Sequence, residues 1–342
     1  MQRDMHYEGM YVLARAAGLA PDIALRVATS SQLVDDFASE FDESLPDGGH
    51  LSVFPTCHHT SNFFGNLDSD HQRLIWVPFH FLPGGTGSSY EPRLVCEKNS
   101  AASRSMMEHH LSYPVEDILP ELIGVAAHVY ADTFAHYGFS GISSDLNHVA
   151  RGSLDITMDI GDSERERIEE KRENFYARTA QFGSRALGHA GVATWPDRPY
   201  LKWQFTYEDG RPAARDNPAT FLEACRALHA DFSRLAQRHG MTASAGVPFA
   251  AIEAGVVSIL AHQGPMEDRC DRWKDALTSG IIPRLFAEIP DYEGTDWDDT
   301  CSAAHGCTDA VTMPFCRFVR AAEVHRTYVL RSLLPPMNIL VA

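Results

Sequence analysis

The sequence predicts a mainly α-helical protein with long functional loops and a few short strands. Three observations carry this. Apolar residues recur at helical spacing through several long stretches, no strand–helix alternation of the βαβ kind appears, and there is neither an internal repeat nor a low-complexity tract. The 342 residues are read as one domain, 1–342, with a sizeable core.

Residues 4–18 and 21–38 read as the first two helices. The second opens on Pro21 and Asp22, a favourable start, and carries Ile23, Val27, Leu33 and Val34 at helical spacing. Residues 42–100 read as irregular, rich in Gly, Pro, Asn and His, with extended pieces near 51–54 and 75–79. So long a stretch without periodicity inside a compact domain is often functional. A long helix is expected over 114–137, with Ile118, Leu122, Val125, Ala126 and Val129 on one stripe. The run DSERERIEEKRENF opens a charged, solvated helix over 163–187. Residues 194–217 read as loop, and supporting helices follow at 218–239, 249–263, 266–288 and 310–333. The last is amphipathic, which suits either internal packing or self-association into a homodimer.

Composition excludes several classes. Against 29 Lys and Arg stand 46 Asp and Glu, a formal net charge of −17. Such a chain repels duplex nucleic acid and anionic membrane unless bound metal reverses the local field. No apolar stretch approaches the roughly 18 residues of a membrane span. The opening MQRDMHYEGM lacks the basic segment and apolar core of a secretory signal, so the expected compartment is the cytoplasm. Seven cysteines (57, 96, 225, 270, 301, 307, 316), an odd number in a long chain, favour reduced thiols. No GxGxxG, P-loop or G-x-S-x-G element occurs, and no His-Asp dipeptide. Nucleotide-fold dehydrogenases, P-loop NTPases, serine hydrolases and His-Asp dyad phosphohydrolases are therefore disfavoured.

Seventeen histidines stand out, and their positions matter more than their number. The informative segment is His128-Val-Tyr-Ala-Asp132-Thr-Phe-Ala-His136. Steps of four residues advance about 40° around a helix, so all three side chains fall within about 80° of one face. Imidazole, carboxylate and imidazole in a column suit a polynuclear metal site, with the central carboxylate bridging two ions. Burying such a stripe on an apolar helix is costly unless something satisfies it. Further candidate ligands are Asp4 and His6 near the N-terminus, the adjacent carboxylates Asp35 and Asp36, and His58 and His59 in a loop. His80 among aromatics and prolines, His148, His189 between Gly188 and Gly191, and Asp197 complete the set. Gly188 and Gly191 suggest a close backbone approach beside His189.

In chain order, His6, Asp35 or Asp36, His58 or His59, His128 with Asp132, His136, and His148 or His189 resemble the ligands of a known superfamily. This is the zinc-dependent phospholipase C and fungal single-strand nuclease superfamily. The resemblance implies a helical bundle holding three zinc ions, and it concentrates the metal-site portion in residues 1–200. More narrowly, MQRDMHY, WVPFHFLPG, HVYADTFAHYGFSG and GHAGVATWPD resemble a family of uncharacterised bacterial proteins that brings no activity with it. There are departures. The superfamily uses the amino group and carbonyl of an N-terminal Trp, whereas this chain begins Met1-Gln2 and Asp4 is expected in that role. The late His-x-x-x-acid pair is absent, since Gly152 follows His148 and Ala193 follows His189 at that spacing, and Asp197 is the substitute acid.

The expected function is a metal-dependent hydrolase acting on a small molecule, most readily a phosphoester. Two or three Zn²⁺ ions would activate water, Asp132 would bridge, and Asp35 or Asp36 would orient the water or bind metal. Arg151 and Lys202 are candidate substrate-holding cations. The alternative is a non-haem iron or manganese oxygenase or lyase, since His/carboxylate ligation also suits those metals. The paired Glu-x-x-His signatures of di-iron bundles are missing, which counts against it. A third reading, a metal-stabilised interaction protein, would show closed coordination with no open position.

Overall fold

A single helix organises the molecule, and it is the one that carries the ligand column. In the computed structural model, which describes residues 1–44, 48–58, 63–179, 186–282, 288–293 and 309–341, the fold is mainly α-helical with small antiparallel sheets. The chain opens on a π-helical turn, Asp4–Gly9, that runs into α1 (Met10–Ala16). Next comes α2 (Pro21–Asp36), with proline in its first turn as expected. A two-stranded hairpin, β1 (Phe41–Ser44) and β2 (His50–Val53), follows. Helices α3 (Ala101–Leu111) and α4 (Leu119–His136) come after a run of short helical turns.

Every residue of α4 is buried. It packs against α2, α3 and two later helices, α6 (Asn217–His239) and α9 (Pro314–Tyr328). Gly124 permits the closest of these approaches. A Cβ there would lie 2.4 Å from the Val27 carbonyl oxygen and 2.8 Å from Ser30 Cβ, so only glycine lets α2 sit this near. That approach brings the last turns of α2, with Ser31 and Asp35, over the ligand face of α4.

Between α4 and α6 lie β3 (Asp155–Ile156), the charged helix α5 (Asp162–Thr179), and the hairpin β4 (Lys202–Thr206) with β5 (Pro212–Asp216). The three strands form one antiparallel sheet in the order β3-β4-β5. Trp203 and Phe205 point from it into a second apolar cluster with Phe81, Phe139, Trp195 and Tyr207. The main cluster holds α1, α2, α4, α6 and α9. The ligand column lies where the two clusters meet: His80 stands between Phe79 of the first and Phe81 of the second. Helices α7 (Glu253–Leu260) and α8 (Met266–Thr278) close the N-terminal side.

Several expectations are corrected. Residues 75–79 are helical, as the π turn Gln72–Trp76 and the turn Val77–Phe79. Their β-branched and aromatic residues suit a strand, but Ile75, Val77 and Phe79 are all buried, and packing overrides propensity. Residues 202–216 form a hairpin, with the alternation Lys202 out, Trp203 in, Gln204 out, Phe205 in. Gly210 and Pro212 made the stretch read as loop, yet proline is tolerated at the first residue of a strand. Helix α3, capped by the Ser100 hydroxyl accepting from the Ser103 amide, went unread. The last helix is split into a 3₁₀ turn, α9 and a π turn at Val329–Leu333. Its apolar face packs inside the molecule, with Phe315, Phe318, Val319 and Ala322 buried. Among the described residues no helix is long and apolar enough to cross a membrane.

Candidate metal centre

His128, Asp132 and His136 stand in a column on α4, as the four-residue spacing requires. Asp132 is the hub. Its Oδ2 lies 3.3 Å from His128 Nε2, 3.4 Å from His136 Nδ1 and 3.5 Å from His80 Nδ1. Its Oδ1 lies 3.2 Å from His6 Nε2 and 2.5 Å from the amino group of Met1. Asp35, at the end of α2, adds oxygens 3.7 Å from both His80 Nδ1 and His128 Nε2, and 3.9 Å from His6 Nε2. Asp197 Oδ1 lies 3.0 Å from His136 Nε2, and its Oδ2 lies 4.0 Å from His189 Nε2. Three groups thus bring their donor atoms within 4.8 Å: His6, Asp35 and His128; His80, His128 and Asp132; His136, His189 and Asp197.

Four of these imidazoles are oriented the same way. His128 Nδ1 donates to the Ser31 carbonyl at 2.8 Å, and His136 Nδ1 to the His80 carbonyl at 2.9 Å. His80 Nε2 donates to the Thr56 carbonyl at 2.9 Å, and His189 Nδ1 to the Ala193 carbonyl at 2.8 Å. Ala193 adopts φ +48°, unusual for a residue with a Cβ, and presents that carbonyl. A carbonyl only accepts, so each of these nitrogens carries the hydrogen. The other nitrogen of each neutral ring therefore offers a lone pair, the arrangement metal-binding histidines use. His6 differs: it is fully buried, and neither ring nitrogen makes a well-directed hydrogen bond. Asp132 Oδ2 likewise accepts none. Buried polar atoms left so are rare, and a bound cation is among the ordinary reasons.

The electrostatics agree. Burial works to raise the Asp132 carboxyl, yet His136, the Met1 ammonium, His128 and His6 hold it far below the usual carboxylate range. Burial also works against Asp197, and the Met1 ammonium and His189 pull it down strongly. Burial lowers the Met1 amino group, but the carboxylates of Asp132, Asp197 and Asp35 overcome this and lift it to about 11. Burial, then the neighbouring His128, pushes His6 well below the ordinary imidazole range, and burial takes His189 to about 4. His128, between two carboxylates, is raised despite its burial. The Asp132 and Asp197 carboxylates are thus favoured charged and the His6 and His189 rings neutral, which is the protonation state a metal needs.

The N-terminal segment is held from behind. Arg269 on α8 donates through Nε to Asp4 Oδ2 at 2.8 Å and through Nη2 to Asp4 Oδ1 at 3.2 Å, while Nη2 also reaches the Gln2 side chain and Nη1 the Gly264 carbonyl. Both members of the pair are buried. Asp4 therefore anchors the turn that aims His6, and the Met1 amino group occupies the place expected for Asp4. Arg269→Met leaves a buried carboxylate unpaired, so it is expected to cost about 3–5 kcal/mol in denaturant unfolding. A cost below about 1 kcal/mol would show the clamp to be dispensable.

The other expected ligands fall elsewhere. His58 pairs with His71, Nε2 to Nδ1 at 2.8 Å, and belongs to none of the three groups. His148 bonds Glu208 at 2.9 Å and accepts from the Ala186 amide, which ties it to the sheet side. Asp36 points away from Asp35, as neighbours on a helix must, and accepts from Tyr292 and Gln32. His59 lies outside the described residues, as do Cys301 and Cys307. Cys57, Cys96, Cys225 and Cys270 are free and buried, and Cys316 is buried. Lys202 is exposed and paired with Asp216, and Arg151 is exposed in a turn, so neither lines the site. Gly188 has the close approach its position suggested: at φ +54°, a Cβ would come 2.3 Å from the Phe81 ring. The roles of Met1 and Arg269 were missed. The only sequence signal was the density of polar residues in MQRDMHY.

Fold and site define a class: a mainly helical protein whose buried His/Asp clusters can hold metal ions. The chain belongs to DUF6765, a family of unknown function whose model matches residues 1–333. No curated protein and no solved structure matches it.

Proposed function

We propose that the protein is a metal-dependent hydrolase of a small molecule, most readily a phosphoester, working in the cytoplasm. The observation that carries the metal reading is the set of four imidazoles, three buried and His189 half-buried, each bonded to a backbone carbonyl through one nitrogen and aimed at Asp132, Asp35 or Asp197 through the other. His6, His80, His128 and Asp35 would hold one side of the centre and His136, His189 and Asp197 the other, with Asp132 between them. Two or three bound zinc ions would supply positive charge for phosphate oxygens and an acidified water. Asp35 has 31% of its side chain exposed, whereas Asp132 has 1%. It is therefore the carboxylate placed to orient a water from the solvent side and accept its proton at a carboxylate oxygen. The buried free thiols fit a reducing compartment.

The test is elemental analysis of protein purified without a histidine tag or chelator, followed by a screen of phosphate mono- and diesters. Two or three zinc per chain with turnover of a phosphoester supports the proposal. Iron or manganese would move the chemistry to an oxygenase or lyase. No metal above background overturns it.

A further inference from the structure

Beside the cluster a cleft of about 470 Å³ opens to solvent, lined by Gln32, Asp35, Asp36, Arg3 and Tyr292 among others. Gln32 and Asp36 lie one turn apart at the end of α2. The Gln32 amide donates from Nε2 to Asp36 Oδ1 at 3.2 Å, and the Tyr292 hydroxyl donates to Asp36 Oδ2 at 2.5 Å. A carboxylate only accepts, so the first bond fixes which end of the Gln32 amide is nitrogen. Its oxygen is then the free end. Gln32 is only 6% exposed, and its Oε1 is buried with no hydrogen-bond partner. A buried acceptor left open costs about 1–3 kcal/mol. The negative charge of Asp36 also sits unfavourably at a helix C-terminus.

We infer that this cleft is a subsite for the organic part of the substrate, and that it takes a polyhydroxylated group such as a sugar or polyol. The phosphoester named above is the reading on which this rests. The argument is donor–acceptor matching. Gln32 Oε1 and the remaining lone pairs of Asp36 require hydrogen-bond donors. Arg3, which also lines the cleft, faces Glu8 Oε1 through Nε at 3.8 Å and donates through Nη2 to Cys270 Sγ at 3.4 Å, so only its remaining N–H groups call for acceptors. A hydroxyl meets both needs at once, while an ammonium group, which only donates, meets only the first. The lining is mixed, with Met1, Met266 and Tyr292 beside the polar groups, which suits the C–H and O–H faces of a polyol together. With Asp36 held on both oxygens and Gln32 locked by one of those bonds, the acceptors are preorganised for a ligand.

The subsite is tested by binding, independently of turnover. Phosphate-free myo-inositol and glucose are titrated into the full-length protein by ligand-observed NMR, with choline as the cationic comparison. Both polyols are expected to bind more tightly than choline. Gln32→Met removes the open acceptor at nearly constant volume and is expected to weaken polyol binding about tenfold, as one lost hydrogen bond does. Asp36→Asn, at a half-buried position, should weaken it comparably, and serves if the first variant folds poorly. In kinetics the loss should appear mainly in KM for inositol phosphate and exceed the loss for p-nitrophenyl phosphate. Polyol binding that is absent, weaker than that of choline, or unchanged in both variants overturns the subsite, even if p-nitrophenyl phosphate is hydrolysed. Polyol binding that depends on Gln32 and Asp36 upholds it, even if no phosphoester is turned over; the hydrolase reading would then be what fails.

Discussion

Asp132→Asn is expected to strip the protein of metal while leaving its helices in place. The substitution is nearly isosteric, and the side chain is buried one turn before the end of α4, a helix anchored along its whole length by apolar packing. Circular dichroism should therefore change little. The ligand set changes greatly. The carboxylate is the one group that faces His6, His80, His128, His136 and the Met1 amino group together. An amide in its place is neutral and turns an N–H₂ donor toward imidazoles that are themselves oriented by backbone carbonyls. Changes behind a ligand already cost about 10–100-fold in metal affinity, so loss of a bridging ligand should cost at least that. Metal per chain should fall toward background after dialysis, and phosphoester turnover with it. A variant that kept its full metal content would show that Asp132 does not bridge.

Metal removal should be the second large effect, and it should fall on stability. The folded chain gathers the carboxylates of Asp35, Asp132 and Asp197 among five histidines in a largely buried region. An ion that binds this arrangement and not the unfolded chain stabilises by about 4 kcal/mol at a thousandfold excess over Kd. For a chain of this size that corresponds to a shift in Tm of about 6 °C. Incubation with a strong chelator, followed by calorimetry, should show such a drop, and adding back zinc should reverse it. An unchanged Tm would mean that the folded state holds no ion there, with the Met1 ammonium alone balancing the carboxylates.

The parts of the fold legible in the sequence are those set by local rules. Pro21 and Asp22 announced α2, and the apolar stripe from Ile118 to Val129 announced α4, because periodicity and capping act within a few residues. The hairpin at 202–216 also had a local signal in its alternation, but the turn residues around it obscured that signal. The helical form of 75–79 had none, because burial on every side removes the polar face that periodicity needs.

The site divides the same way. The column of His128, Asp132 and His136 follows from helix geometry alone, so the sequence by itself determined that this protein carries a metal-type stripe on a buried helix. Only the tertiary structure decided which partners join it. It took Asp35 and not its neighbour Asp36, His80 and His189 and not His58 or His148, and the Met1 amino group in the place expected for Asp4. Each choice is made by contacts between distant segments: His128 is oriented by a carbonyl 97 residues away, and Asp4 is held by an arginine 265 residues away. Spacing along one helix fixes direction about its own axis. The direction of a loop histidine or a terminal amine is fixed only when other elements close around it, and here Gly124 set how near α2 could come to α4.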